Sequence, residues 1–149
     1  MKVELKNLKI HRDMSQETTC FSATLYIDNV KVGEASNTGR GGNNMVRMVD
    51  FKLQRKFEDY CRSLPPYQDL PMDRDLFISL LVEKTKEDQY LVRTCKKKTV
   101  FSLKDQEEGV WYTINDMYSQ EVKDFLVKKY GYNLKEVANE RSLLTNAVN

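Results

Sequence analysis

The feature that most constrains the fold is the strict alternation of apolar and polar residues over Phe21–Ile27. Side chains two residues apart share one face of a β-strand, so this pattern predicts a strand with one buried face. Asp28 and Asn29, which both tolerate left-handed backbone, follow directly, and the alternation then resumes. A tight hairpin over Ile27–Lys31 is therefore expected, joining two antiparallel strands.

A further strand is expected before this hairpin. Val3, Leu5, Leu8 and Ile10 are apolar, with one change of parity at Lys6-Asn7. Such a change is typical of a β-bulge, which inserts one extra residue into a strand. The first forty residues therefore predict a three-stranded antiparallel sheet.

A glycine-rich loop follows the predicted sheet. Three of the six glycines, Gly39, Gly41 and Gly42, fall within four positions, and glycine is the residue that reaches positive φ without steric cost. Apolar residues then recur at helical spacing over 45–64, which predicts that the loop opens a helix ended by Pro65-Pro66. Free backbone N–H groups and the helix dipole make a helix N-terminus an anion site.

These observations predict that the loop binds an anionic group, with Arg40 and Arg47 supplying charge and with hydrogen bonds from Thr38 and Asn43. The complete set of expected ligand-binding residues is Thr38, Gly39, Arg40, Gly41, Gly42, Asn43 and Arg47. The alternative interpretation is a structural turn that needs positive φ. The loop lacks the final G-K-[ST] of nucleoside-triphosphate loops and the context of a dinucleotide-binding motif, which excludes nucleotide hydrolysis by those motifs.

The second half of the chain predicts more helices and a second sheet. Asp73 is a candidate N-cap for a helix, although a buried strand is the competing interpretation of Leu76–Val82. Strands are expected at Tyr90–Thr94, Thr99–Leu103 and 110–114. A helix capped by Ser119 and ended by Gly131 comes next, and a short last helix from Asn133 to about Ser142 precedes a frayed end.

The expected architecture is therefore a single α+β domain over residues 1–149, with two antiparallel β-meanders and three to four helices packed on the sheet. The length suits one domain, and no apolar run approaches the roughly 20 residues that a membrane span needs. The N-terminus has no secretory signal pattern, so we expect a cytoplasmic protein that makes no membrane contact.

A second basic cluster, Lys96, Lys97 and Lys98, lies between predicted strands that carry aromatic residues, including Trp111. Phosphate attraction and base stacking use this combination, so these four residues are candidate nucleic-acid contacts. The alternative is that the aromatic residues belong to the core and the lysines protect an exposed turn. The net charge of +2 does not by itself identify a nucleic-acid partner.

Few residues suggest catalysis. There is one histidine, His11, and the three cysteines are far apart, so neither a catalytic triad nor a metal site can be assembled from known spacings. Glu4-Leu5-Lys6 has the E-x-K spacing of some metal-dependent nucleases but has no identifiable acidic partner before it. We expect no catalytic residue, no metal and no cofactor.

The hairpin segment T-T-C-F-S-A-T-L-Y-I-D-N-V-K-V-G-E-A-S-N followed by G-R-G-G, and the later K-K-K-T-V-F-S-L-K and K-K-Y-G, resemble uncharacterised small proteins of bacteriophages and prophages. The resemblance covers the first 45 residues and roughly Lys96–Gly131. It implies a viral origin and a location in the host bacterial cytoplasm. Small phage proteins of this kind often counter bacterial defences by capturing a nucleotide signal or by blocking a protein or nucleic-acid surface.

The expected function is a non-catalytic binding or inhibitor protein that holds a nucleotide or nucleic acid at the glycine-rich loop. Two alternatives stay open. One is an inhibitor that binds a host protein and no anion, and the other is a metal-dependent phosphodiesterase or nuclease. The sequence leaves the oligomeric state open.

Overall fold

The computed structural model describes residues 1–141 and has an α+β fold with three α-helices and two antiparallel sheets. The α+β class predicted from the sequence is confirmed. Two compact units can be distinguished among the described residues, one over residues 1–86 and one that begins at residue 87. The predicted fraying of the last residues, and Ser142 at the end of the predicted last helix, lie outside the described residues.

The first unit contains a four-stranded sheet whose strands follow one another in chain order. The strands are β1 (Val3–Ile10), β2 (Phe21–Ile27), β3 (Val30–Asn37) and β4 (Met45–Met48). The predicted hairpin is confirmed, because Asp28 and Asn29 both have positive φ, 49° and 67°, between β2 and β3. The predicted bulge is also confirmed, since Asn7 has a φ of 55° and the register of β1 shifts there.

Two helices cover this sheet in the first unit. They are α1 (Phe51–Ser63) and the first part of α2 (Arg74–Cys95). Phe57 and Ile78, which are both fully buried, pack with apolar side chains of the sheet such as Leu25. The ring of Phe77 meets that of Phe57 edge-on, with ring centroids 5.8 Å apart. The predicted sheet-covering helix is therefore present, and Leu76–Val82 is part of a helix and not a buried strand.

The predicted start of the first helix is wrong, because Met45–Met48 forms strand β4. Val46 and Met48 are buried while Met45 is exposed, which is a period of two and not of four. Pairing with β3 makes this segment a strand. Apolar residues four positions apart lie on one face of a helix and also on one face of a strand, so their spacing did not distinguish a helix from a strand here. Asp50 caps α1 by accepting hydrogen bonds from the backbone N–H groups of Lys52 and Leu53.

The second unit contains a three-stranded antiparallel sheet with the spatial order β6-β5-β7. Its strands are β5 (Thr99–Leu103), β6 (Tyr112–Ile114) and β7 (Leu134–Val137). Helix α3 (Gln120–Tyr130) lies between β6 and β7 in the chain, and its buried Leu126 packs with Phe101 and Val137 of the sheet. Its predicted ends are confirmed, because Ser119 accepts a hydrogen bond from Val122 N–H and Gly131 has a φ of 54°.

Two predictions for this unit are wrong. Tyr90–Thr94 is not a strand, because α2 continues to Cys95 and buries Leu91 with Val100 and Ala138. The expected last helix from Asn133 is also wrong, because Leu134–Val137 pairs with β5 as strand β7. Short apolar runs fit a helix or a strand equally well, and here tertiary packing selects between them.

Over residues 1–141 no helix combines the length and the low charge that crossing a membrane requires.

Candidate functional site

The glycine-rich loop, residues 38–44, connects β3 to β4 and is attached to the segment that precedes β2. The carbonyl oxygen of Gly39 accepts hydrogen bonds from the backbone N–H groups of Gln16 at 2.9 Å, Glu17 at 3.0 Å and Thr18 at 3.4 Å. Three donors on one carbonyl hold residues 16–18 against the loop. The loop is thus a fixed part of the first unit.

Asn37, the last residue of β3, organises the interior of the loop. Its side-chain oxygen accepts hydrogen bonds from Gly39 N–H at 2.8 Å and from the Thr18 hydroxyl at 2.7 Å. Its side-chain amide donates to Asn44 Oδ1 at 3.0 Å and to the Gly42 carbonyl at 3.3 Å. Asn37 is 6% exposed, so these bonds satisfy a buried amide that would otherwise be costly.

Asn44, just before β4, connects the other end of the loop to helix α2. Its backbone N–H donates to Asp75 Oδ1 at 2.6 Å. Its side-chain amide donates to the Asp75 carbonyl at 3.0 Å and to the Ser79 hydroxyl at 2.8 Å. The two asparagines at the ends of the loop therefore bring the sheet, the loop and the start of α2 together.

The three glycines of the loop are required for different structural reasons. A Cβ at Gly39, where φ is 81°, would lie 2.4 Å from the Met14 carbonyl oxygen, and one at Gly41 would lie 2.6 Å from Glu17 Oε2. A Cβ at Gly42 would meet nothing within 4 Å, although φ is 90° there. Close packing against backbone thus explains Gly39, whereas the left-handed backbone requires Gly41 and Gly42, because the exposed Glu17 side chain could move away from a Cβ at position 41.

A polar cavity of about 490 Å³ lies beside the loop in the first unit. Two acidic residues line it, Glu17 and Asp75, and among the described residues that line it none is Lys or Arg. The other lining groups are hydroxyl, amide and backbone groups of Ser15, Gln16, Thr18, Thr19, Asn37, Gly42, Asn44 and Ser79. The cavity therefore favours a positively charged or hydroxyl-bearing group over an anion.

The structure does not bring all the expected ligand-binding residues together. Gly42 lines the polar cavity, while Arg47 lines a different one, on the β3–β4 face with Glu34 and Asp50. Gly39 and Gly41 direct their N–H groups to Asn37 and Thr18 within the loop. Thr38, Arg40 and Asn43 are exposed.

The helix N-terminus that was expected to complete the anion site lies elsewhere in the chain. The loop leads into strand β4, and α1 begins only at Phe51, with its first N–H groups bound by Asp50. The prediction that the loop opens this helix is wrong, because the residues that follow the loop pair with β3 as strand β4.

In the second unit, Trp111 is already engaged by other side chains. Its indole N–H donates to Glu87 at 2.7 Å, and the Arg141 guanidinium lies 5.0 Å from the centre of its ring. Lys96 and Lys97 are exposed in the turn after α2, and the carbonyl of Lys98 accepts from the Asn139 amide at 2.9 Å. Trp111 is half-buried and packs against the core residues Leu91, Val100 and Ala138.

The single histidine and the three cysteines lie apart from the polar cavity. Residues 1–141 hold no group of three His, Cys, Asp or Glu side chains placed to bind a metal ion. His11 is exposed just beyond β1, and its carbonyl accepts from the Ser15 hydroxyl. All three cysteines are free thiols, and burial with the nearby Asp73 charge raises the pKa of Cys61 to about 11.

Sequence reasoning identified the loop but missed the groups that surround it. Glu17, Asp75 and Ser79 come from segments that lie far from the loop in the chain, and no local spacing indicates that they meet it. The sequence does place an asparagine at each end of the glycine-rich segment, Asn37 and Asn44. Asparagine side chains can close a loop by forming hydrogen bonds with nearby backbone and side-chain groups.

Comparison of the chain with protein-family models, curated proteins and solved structures gives no match.

Proposed function

We propose that this chain is a binding protein of the bacteriophage type, an inhibitor that acts without catalysis and receives a positively charged side chain of a partner protein in the polar cavity. One observation carries the proposal. Glu17 and Asp75 line the cavity together, while two loop N–H groups that an anion would use, those of Gly39 and Gly41, are already bound by the side chains of Asn37 and Thr18.

The charge of the cavity decides between ligand classes. Two carboxylates repel a phosphate, and the exposure of Glu17 to solvent weakens this repulsion without changing its sign. The same carboxylates attract an ammonium or a guanidinium, and the surrounding hydroxyl and amide oxygens can accept its remaining hydrogens. Charge-assisted hydrogen bonds of this kind are about twice as strong as neutral ones.

The rigidity of the site also supports binding by a preformed cavity. Asn37 and Asn44 fix the loop on one side, and the Asp75 carboxylate is fixed by its bond to Asn44 N–H. A cavity whose walls are held in advance loses less conformational entropy when a ligand enters. At protein–protein interfaces a few residues contribute most of the binding energy. A lysine or arginine of the partner inserted into the cavity would be such a residue.

A phosphate-bearing ligand, nucleotide or nucleic acid, is the second candidate. It is favoured by Arg40 and Asn43, which are exposed on the loop and have no hydrogen-bond or ion-pair partner among residues 1–141. A phosphate could bind on this outer side of the loop and would not enter the cavity. The two candidates therefore involve different residues and can be separated by experiment.

The test is a titration of the ¹⁵N-labelled full chain, followed by nuclear magnetic resonance. One probe is an acetylated, amidated Gly-Arg-Gly tripeptide, and the others are inorganic phosphate, cyclic nucleotides and a short oligonucleotide. The tripeptide is expected to shift the amide signals of Glu17, Gly42 and Ser79. Glu17→Gln should weaken its binding about threefold, the effect expected for an ion pair at an exposed carboxylate.

The matched control is Glu34→Gln, an exposed carboxylate on β3 that does not line the cavity. It should leave tripeptide binding unchanged. Shifts caused by phosphate compounds at residues 38–43 that disappear in Arg40→Ala would instead support the second candidate. Equal effects of Glu17→Gln and Glu34→Gln would reject the cavity as the site.

A further inference from the structure

The second unit has a groove between the edge strand β6 and helix α3, with a volume of about 490 Å³. Aromatic side chains form much of it. The ring centroid of Phe101 lies 5.8 Å from that of Tyr112 and 5.3 Å from that of Tyr130, and all three residues line the groove, although Phe101 is almost fully buried. Phe125 of α3 also lines the groove and is 53% exposed, so it adds apolar surface that a ligand could cover.

Strand β6 is an edge of its sheet. In the part of the chain that the structure describes, its one neighbour is β5, so the backbone groups on its other side have no strand partner. An exposed row of N–H and C=O groups is a template for a further strand. Tyr112 and Ile114 direct their side chains into the groove, so an added strand would place its alternate side chains between β6 and α3.

The groove has opposite charges at its two ends. Only residues 115–119 join β6 to α3, so the end of β6 lies near the start of the helix, where Asp116 and Glu121 line the groove. Lys129 lines it near the other end of α3, with its ammonium group 5.4 Å from the Tyr130 ring centroid. The groove is thus acidic at one end, apolar in the middle and basic at the other end.

We propose that this groove binds an extended peptide segment of a partner protein, added as an antiparallel strand to β6, with a basic residue, an apolar residue and an acidic residue at alternate positions in that order. Strand addition supplies main-chain hydrogen bonds, and the pockets for alternate side chains supply specificity. The C-terminal end of a peptide antiparallel to β6 lies beside the start of β6. Its acidic residue, the last of the three, is therefore placed at Lys129. Its basic residue then meets Asp116 and Glu121.

The dimensions agree with a five-residue segment. From Glu121 to Lys129 the helix rises about 12 Å, at 1.5 Å for each residue. In an extended peptide, residues four positions apart are separated by about 13 Å. The peptide Lys-Thr-Ile-Thr-Glu therefore presents both charges at the ends of the groove and its isoleucine to the aromatic side chains.

The experiment uses the ¹⁵N-labelled full chain and the acetylated, amidated peptide Lys-Thr-Ile-Thr-Glu. Its binding should shift amide signals of β6 and of one face of α3. The charge-reversed peptide Glu-Thr-Ile-Thr-Lys should bind about fivefold more weakly. Lys129→Glu should remove that preference, because it replaces the attraction at this end with repulsion, whereas Lys128→Glu, an exposed neighbour that does not line the groove, should preserve it.

N-methylated peptides test the strand geometry directly. In an antiparallel pair only alternate N–H groups of the added strand face β6. Methylation of one alternate set of amides should therefore abolish binding, and methylation of the other set should leave it intact. Equal binding of both methylated forms would overturn the proposal.

Two further outcomes would also reject it. One is the absence of shifts at β6 and α3 with any of the peptides. The other is self-association of the wild-type chain that Lys129→Glu disrupts and Lys128→Glu does not, since the groove would then be occupied by a second copy. The groove and the polar cavity share no residue, so failure here leaves the proposed cavity function untouched.

Discussion

The side-chain amide of Asn37 donates a hydrogen bond to the side-chain oxygen of Asn44 at 3.0 Å, and both residues are buried. The pair lies across the two ends of the glycine-rich loop and closes it. The loop is therefore held by side chains outside it, and the glycines permit its conformation without supplying its stability.

Replacement of Asn37 by alanine should destabilise the first unit by about 1–3 kcal/mol, because it leaves the N–H of Gly39 and the amide oxygen of Asn44 without their partners. Chemical denaturation of the two variants Asn37→Ala and Thr38→Ala provides the comparison. Thr38 is exposed, so its loss should change the free energy of unfolding by less than about 0.5 kcal/mol. Equal losses would show that the Asn37–Asn44 contact contributes little.

The glycines should differ in their tolerance of alanine. Gly42→Ala should cost about 1–2 kcal/mol, the strain of a left-handed backbone, since an added Cβ meets nothing there. Gly39→Ala should cost more, because the same strain is joined by overlap with the Met14 carbonyl oxygen and Cys20 Cβ, at 2.4 and 2.8 Å. Urea titrations of the two variants measure the difference, and a Gly42 variant as unstable as the Gly39 variant would contradict this account.

Local sequence patterns correctly predicted the elements that depend on residues close to one another in the chain. The Asp28-Asn29 turn, the bulge at Asn7 and the Ser119 cap each depend on residues within a few positions of one another, and each is present. Strand β4 was missed because its identity depends on pairing with β3, and four residues contain too little periodicity to decide. The polar cavity was missed for a related reason, since Glu17 and Asp75 meet only after the chain has folded.

The buried face of α1 predicts a contrast between adjacent residues. Phe57 is fully buried against the first sheet, whereas Lys56 is exposed. Phe57→Ala should reduce the free energy of unfolding by about 3–5 kcal/mol, through lost burial and the cavity left behind. Lys56→Ala should change it by less than about 0.5 kcal/mol. Comparable effects in denaturation experiments would mean that another face of α1 is buried.

The ion pair of Glu136 with Arg141 predicts a dependence of stability on pH. The bidentate contact, at 3.0 and 2.7 Å, lowers the pKa of Glu136 in the folded chain. Its stabilising effect is therefore fully present above the unfolded-state pKa near 4.5 and is lost as the pH falls through the depressed folded-state pKa. Glu136→Gln should be less stable than the wild type at neutral pH, and the difference should vanish in acid.

The control for this ion pair is Glu108→Gln, because Glu108 is almost fully exposed and its nearest cation, Lys135, lies 3.7 Å away. That variant should show little difference from the wild type at either pH. The carboxyl ¹³C signal of Glu136 provides an independent measure, and a midpoint at or above 4.5 would contradict the assigned role of Arg141.

The thiol of Cys61 should be unreactive in the native chain. It is fully buried in α1, and burial raises its pKa to about 11, so at pH 8 only about one thiolate in a thousand is present even where reagent has access. Burial also raises the pKa of the half-buried Cys95 thiol, and Cys20 is 5% exposed. Labelling with an aromatic disulfide reagent at pH 8 should therefore be slow for all three thiols and should become complete in denaturant. Mass spectrometry of the digested chain identifies each site, and rapid native labelling of Cys61 would show that α1 separates from the sheet far more readily than its buried Phe57 and Cys61 side chains imply.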